Sequence, residues 1–299
     1  MQRVVISGAT GLVGTHLVRM LEEHNYDVVY LTRHRRAGDM VKSYLWDPAE
    51  SYADSDAFHD GDIIIHLGGA NIGAQRWSRK RKEEIVSSRV DSANLLIAKT
   101  VKAGIYPSAF ITASATGYYG AVTTPKIFIE TDPPASDFLG ETCRLWESAA
   151  DSFEMYGVRV VKIRTAVVLA VGKSALTKMT WPVSAGLIIR FGPGHQYFPW
   201  IHIDDLCAVY LQAVKEESMS VPYNAAAPDQ ITHDMLMVEI ARQRHLPVFL
   251  PRVPSWLLRT ILGEMSVVIT RGSRISSEHL LKSGFEFRYP DIRSALKAC

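Results

Sequence analysis

The sequence predicts an α/β protein, a doubly wound parallel sheet carrying a smaller mixed C-terminal lobe. Three observations predict it. Short β-branched runs alternate with amphipathic stretches of helical length as far as about residue 166. The first of these runs, Val4-Val5-Ile6-Ser7, feeds directly into a glycine turn, Gly8-Ala9-Thr10-Gly11-Leu12-Val13-Gly14. Beyond Ala166 the alternation loosens into a segment punctuated by Gly186, Gly192, Pro193, Gly194 and Pro199. Strands apolar on both faces belong to a sheet covered by helices on both sides.

Taken in order, the opening strand is followed by a helix with Val13, Leu17 and Leu21 on one face. Asp27 to Thr32 reads as the second strand. Ser43-Tyr44-Leu45-Trp46 is a weaker third, closed by Asp47-Pro48, and Asp62 to Leu67 is a strong fourth, stopped by Gly68-Gly69. The next helix begins near Lys80. Ile85, Val86, Val90, Ala93, Ile97 and Val101 form its apolar stripe, and Gly104 ends it. Ala109 to Ser114 is the fifth strand, a helix from Phe138 to Tyr156 follows, and Val158 to Arg164 is the sixth strand. Asp204 is the expected N-cap of a helix reaching Lys215, Thr232 that of a helix to His245, and Pro254 opens another. Phe285, Phe287 and Tyr289 alternate like a short strand. The expected division is a core over 1–166 with a returning segment at about 200–226, and a lobe built from 167–199 and 227–299.

Composition bounds the function. A formal charge of +2 in 299 residues is nearly balanced, so neither a nucleic acid nor a membrane surface is an expected partner. Cys143, Cys207 and Cys299 are scattered, with no pair at metal spacing, which fits a reducing compartment and predicts no metal site. The chain enters a strand at once and has no apolar run of membrane-spanning length, so a cytoplasmic location is expected.

Strand, glycine turn and helix together make a nucleotide site. Gly8 takes the tight turn, Gly11 leaves the backbone open to a pyrophosphate where φ can be positive, and Gly14 lets helix and strand approach. Thr10, Leu12 and Val13 complete the turn. An NAD site would place an acid after the second strand. From Val28 to Gly38 there is none, and Thr32-Arg33-His34-Arg35-Arg36 stands there instead. Arg33 matches a ribose 2′-phosphate, with Thr32 as a hydroxyl donor, so the expected cofactor is NADP. Leu67 and Gly68 are expected contacts on the next strand. Glu84 and Arg89 read as ordinary solvated or salt-bridged helix residues. The run Arg79 to Lys82 reads as a solvated helix start, and Arg76-Trp77 as packing. His202, Asp204 and Asp205 read as a capped, packed turn and not as a metal or acid–base site.

Five stretches carry a family resemblance: the glycine turn, Asn71 to Trp77, Ser114 to Gly120, Tyr197 to Asp205 and Leu281 to Pro290. Together they resemble the atypical, extended short-chain dehydrogenase/reductases known as the YfcH-like "epimerase family" proteins, over residues 1 to about 298. The resemblance implies a Rossmann core, NADP(H) binding and a C-terminal domain of its own. It also implies that Glu84 and Arg89 lie near the cofactor and that the backbone at Val168 meets the nicotinamide. It names no substrate.

The superfamily's usual acid–base machinery is a serine or threonine, then a tyrosine and a lysine four residues apart, the lysine lowering the tyrosine's pKa. Alignment with the extended members puts Ala115, Leu139 and Cys143 at those positions. The hydroxyls left nearby are Ser114, Thr116, Tyr118 and Tyr119. The expected proton donor or acceptor is Tyr118 with Ser114 as its hydrogen-bond partner, and Cys143 is expected to be buried and inert. The function implied is an NADP(H)-dependent oxidoreductase or epimerase (isomerase) acting on a small molecule. The rival is a non-catalytic NADP(H) sensor, and the sequence leaves substrate and oligomeric state open.

Overall fold

A computed structural model describes residues 1–34, 42–172, 189–246 and 252–299. Strands β1 (Arg3–Ser7), β2 (Asp27–Thr32), β3 (Ser43–Asp47), β4 (Tyr52–Ala53), β5 (Ile63–His66), β6 (Ala109–Ala115), β8 (Arg159–Thr165) and β12 (Pro222–Ala225) form the main sheet. The short β7 (Ile127–Phe128), β9 (Val167–Leu169), β10 (Arg190–Phe191) and β11 (Trp200–His202) fall between them in the chain, and β13 (Arg252–Val253) and β14 (Arg274–Ile275) follow. The main sheet runs β12-β8-β6-β5-β1-β2-β3-β4, parallel except for the β3–β4 pair. From β1 the chain winds outward one way through β2 and β3, then the other way through β5, β6 and β8. The reversal leaves a crevice at the carboxyl ends of β1 and β5, where open α/β sheets bind ligands.

Alternate residues of each strand feed two cores. Val4 and Ile6 face α1 (Leu12–Glu23), whereas Val5 faces the side of α2 (Arg79–Lys99) and α3 (Phe138–Asp151). On the first face α1 packs against α4 (Ile203–Lys215), through Leu17, Leu21, Leu206 and Tyr210. On the other, Leu95, Leu96, Phe110 and Phe153 close the layer, and α2 packs on α3. The segment that returns after residue 200 therefore supplies both a covering helix and β12, the sheet's far edge.

The lobe holds α5 (His233–Gln243), α6 (Ser255–Leu262), α7 (Val267–Thr270), α8 (Glu278–Lys282) and α9 (Ile292–Ala298). Its core is Leu236, Met237 and Ile240 against Trp200, Ile292 and Leu296. Two two-stranded ribbons, β9–β11 and β7–β14, join segments of the core to it, and a third, β10–β13, lies within it.

Four expectations need correction. The N-cap of α4 is His202, whose Nδ1 accepts the Asp204 N–H at 3.2 Å. Asp204 stands in the first turn, where its charge complements the helix dipole. Phe285 to Tyr289 is not a strand, because the Asp205 carboxylate accepts the Arg288 and Tyr289 N–H groups at 2.8 and 3.0 Å. The helix expected to reach Tyr156 ends at Asp151 and is followed by a separate 3₁₀ turn over Glu154–Tyr156. The preceding helix, α2, similarly ends at Lys99, with a 3₁₀ turn before Gly104, which closes it at φ 81°. Gly186 and the arginines Arg35 and Arg36 lie outside the described residues.

Candidate nucleotide-binding and active site

Gly8 leaves β1 at φ +78°, a conformation that costs glycine nothing. Its carbonyl accepts the Gly11 N–H at 3.0 Å, and Gly11 opens α1 as N-cap at φ −78°, ψ 175°. The positive φ expected at Gly11 therefore falls on Gly8. A Cβ on Gly14 would come within 2.3 Å of Gly8 O and 2.6 Å of Ala9, so close strand–helix packing is obligatory there. A Cβ on Gly11 would meet only Gly8 O, at 3.3 Å, leaving open space above the turn. The first-turn N–H groups of Leu12, Val13 and Gly14 have no intrahelical acceptor, and that turn carries no acidic side chain. Such an opening fits the pyrophosphate of a dinucleotide.

A cleft of about 850 Å³ continues from this turn. Gly8, Thr10, Gly11, Thr32, Arg33, Leu67, Gly68 and Glu84, all singled out in the sequence, line it. Leu12, Val13 and Val168 are instead half-buried against the core, Val168 being paired with Ile201, while Gly14 is buried. Arg33 is exposed at the end of β2. The Thr32 hydroxyl does not project as a free donor. It donates to His34 O at 2.9 Å and accepts the His34 N–H at 3.3 Å, closing the turn that presents Arg33. The carboxylate at this end, Asp47, comes from β3 and accepts the Ala49 N–H.

The sequence reading missed His66 and Arg81. His66 is fully buried at the end of β5 yet borders the cleft, and burial pushes its imidazole down to about 4. Ser7 Oγ lies 2.5 Å from Nδ1, and Ser92 Oγ lies 2.9 Å from Nε2 and 2.8 Å from Ser88 O. Since Ser92 has one proton and gives it to a carbonyl, it accepts from Nε2–H, and Ser7 donates to Nδ1. This relay fixes the floor under Gly68, whose Cβ would be 3.2 Å from the His66 ring. Arg81 is not solvated with its neighbours. It is buried against the cleft, reaching Asn71 O and, at 2.7 Å, the Glu84 carboxylate. Trp77 does pack, edge-on to Phe138 at 4.9 Å.

At the end of β6 the expected partnership between Tyr118 and Ser114 is not formed. The Ser114 hydroxyl donates to Glu147 Oε1 at 2.7 Å, deep between β6 and α3. Glu147 is held by Arg164 through two bonds of 2.8 Å. Arg164 also donates to the Tyr119 hydroxyl and Glu130 O, at 2.8 and 2.9 Å. Tyr119 in turn donates to Asn224 Oδ1, and its own phenol is pushed up to about 12 by burial. Tyr118 is half-buried, its ring centroid 3.5 Å from the Arg164 guanidinium carbon, and among the described residues its hydroxyl has no hydrogen bond. Leu139 and Cys143 are both buried and face Gly117, at 3.5 and 3.9 Å from a Cβ built there. Burial, with the Glu147 charge, pushes the Cys143 thiol up to about 12, so it is no nucleophile. His202 packs on Tyr289 at 4.0 Å, and among the described residues no cluster of His, Cys, Asp or Glu could hold a metal. No helix among them is long and apolar enough to cross a membrane.

Switch point, glycine turn and cleft define the class: an α/β protein of the short-chain dehydrogenase/reductase type, shaped for a nicotinamide dinucleotide. Comparison narrows it. Residues 4–226 match the NAD dependent epimerase/dehydratase family, and residues 253–299 match a C-terminal domain of unknown function, DUF1731. The chain is 34% identical to the epimerase family protein YfhF of Bacillus subtilis over 295 residues, covering 98% of this chain and 96% of that one. It is 32% identical over 294 residues to an epimerase family protein of Mycobacterium leprae, covering 98% and 94%. Among solved structures, the human epimerase family protein SDR39U1, determined with NADPH, superposes with a TM-score of 0.87 at 27% identity, over 99% of this chain and 98% of that one. The chain belongs to the NAD dependent epimerase/dehydratase family, within its "epimerase family protein" group that carries the DUF1731 domain.

Proposed function

We propose that the chain is an NADP(H)-dependent oxidoreductase or epimerase acting on a small molecule. The observation that carries the cofactor choice is Arg33, exposed at the cleft's β2 end, with no acid following that strand among residues 28–34. The human SDR39U1 structure, solved with NADPH, supports the same choice. When bound, the dinucleotide supplies hydride acceptance and return. The chain's part is to hold the pyrophosphate on the α1 N–H groups, the 2′-phosphate on Arg33 and the adenosine against the Leu67–Gly68 wall.

For the proton, the reading rests on Tyr118 alone. The Ser114 hydroxyl donates its hydrogen bond to Glu147 and that of Tyr119 to Asn224, which leaves Tyr118 with the uncommitted phenol. The cofactor assignment is tested by titrating NADPH and NADH at one ionic strength. A charge-assisted hydrogen bond contributes about 1.5–3 kcal/mol, so a preference of about ten- to a hundred-fold for NADPH is expected. Equal affinities would overturn the assignment.

A further inference from the structure

The β1–β5 ladder ends at the Ser7–His66 pair, where the two walls of the cleft begin. One wall is the glycine turn after Ser7, and the other is the Leu67–Ala70 loop after His66. Backbone joins them once more, the Leu67 N–H donating to Ser7 O at 3.0 Å. From there side chains take over. Ser7 donates to His66 Nδ1, and His66 Nε2–H donates to Ser92, which donates on to Ser88 O. Ser88 Oγ accepts the Ala70 N–H at 3.0 Å and donates to Ile85 O at 3.1 Å. Ala70 O accepts from Arg89 Nη1 at 3.2 Å. The loop is thus tied at one end to β1 and at the other to α2, with the His66 ring between.

Such a relay is costly to bury. Ser7 and His66 are fully buried and Ser92 nearly so, and each polar atom there must find a partner. An apolar ring could stack on Phe110 as His66 does, with centroids 6.1 Å apart, without that demand. What histidine adds is one donor and one acceptor on a single rigid ring, and both are used. With both nitrogens committed, His66 has no bond to offer a ligand, although it borders the cleft together with Ser88 and Ser92. A chain of neutral bonds that spans both walls fixes their spacing before a ligand arrives. That lowers the ordering cost of binding.

We propose that His66 is a positioning residue for the nucleotide: by joining Ser7 to Ser92, it holds the Leu67–Ala70 loop at the distance from the glycine turn that the adenosine half of the cofactor requires. This rests on reading the cleft as an NADP(H) site. The role is not acid–base, because the chain of bonds ends on the Ser88 carbonyl, which has no proton to pass on.

The test is calorimetric titration of the full chain with NADPH and with adenosine 2′,5′-bisphosphate, each at two salt concentrations. His66→Phe keeps a ring to stack on Phe110 but makes neither bond. Both ligands should weaken by about five-fold or more, the worth of one neutral hydrogen bond at about 1 kcal/mol. The salt dependence of binding should match the wild type, whereas Arg33→Ala should reduce it. Amide exchange in the Leu67–Ala70 loop, followed by mass spectrometry, should be faster in ligand-free His66→Phe and return to the wild-type rate at saturation with NADPH. Wild-type affinities, or an unchanged ligand-free exchange rate, in His66→Phe overturn the proposal. So does a salt dependence lowered as in Arg33→Ala, since a charge would then have been lost. Should His66→Phe not fold, Ser92→Ala carries the same test: weaker binding of both ligands supports the role, and wild-type affinity contradicts it. If the wild type binds neither ligand, it is the NADP(H) reading that fails.

Discussion

Replacing Gly11 separates binding from folding, because the glycines of the turn are constrained differently. In Gly11→Val the backbone, at φ −78° and ψ 175°, is one that valine adopts readily. The new Cβ approaches only Gly8 O, at 3.3 Å, and the methyl groups point into the opening. Loss of glycine as N-cap costs about 1 kcal/mol or less, a fall in Tm of about 2–4 °C at most for a chain of this size. The methyls occupy the pyrophosphate's place. Losing two charge-assisted hydrogen bonds at about 1.5–3 kcal/mol each weakens binding by about 10²–10⁴-fold. Gly14→Ala should do the opposite in order of severity. Its Cβ would lie 2.3 Å from Gly8 O, and the backbone shift needed costs about 1–3 kcal/mol or more in stability before any ligand is added. NADPH fluorescence titration beside thermal unfolding reads both quantities. NADPH affinity within a few-fold of wild type in folded Gly11→Val would refute the site.

Three other outcomes are expected. Arg164→Leu strands the buried Glu147 carboxylate and should cost about 3–5 kcal/mol in urea unfolding, whereas Arg164→Leu with Glu147→Leu should recover most of it. His66 and His233 are buried and held near 4, below the unfolded value of about 6.5, so the unfolded chain binds more protons in between. Stability should be full above pH 6.5 and fall as pH drops toward 4, by up to about 1.4 kcal/mol per pH unit for each, and His66→Phe should flatten the slope of urea stability against pH. In any turnover assay, Tyr118→Phe should slow the reaction by about 10²–10⁴-fold, and a rate within a few-fold of wild type would remove Tyr118 from the mechanism.

The sheet and the phosphate turn were legible because their signals are local: β-branched runs, and glycines where a strand becomes a helix. That Arg33 would stand at the cleft was legible for the same reason, since it comes first after its strand. Arg81 was hidden among four consecutive cations, yet its phase gave a clue, since Ile85, Ser92 and Leu96 follow it on one helical stripe and all are buried. The bond from Ser114 to Glu147 and the latter's pairing with Arg164 join residues 33 and 17 apart, and nothing in either segment announces the other. The same holds for His66, whose partners Ser7 and Ser92 lie on different elements. The Asp204 cap and the strand expected at Phe285 failed for a related reason. A histidine ring took the cap, and the Asp205 carboxylate took the N–H groups that a ladder would have used.

The most direct test of the central claim is a crystal structure of the full chain grown with NADPH. The account predicts the pyrophosphate on the Leu12–Gly14 N–H groups and the 2′-phosphate within hydrogen-bond reach of Arg33. A dinucleotide bound with its 2′-phosphate away from Arg33, or lying outside the β1–β5 crevice, would contradict it.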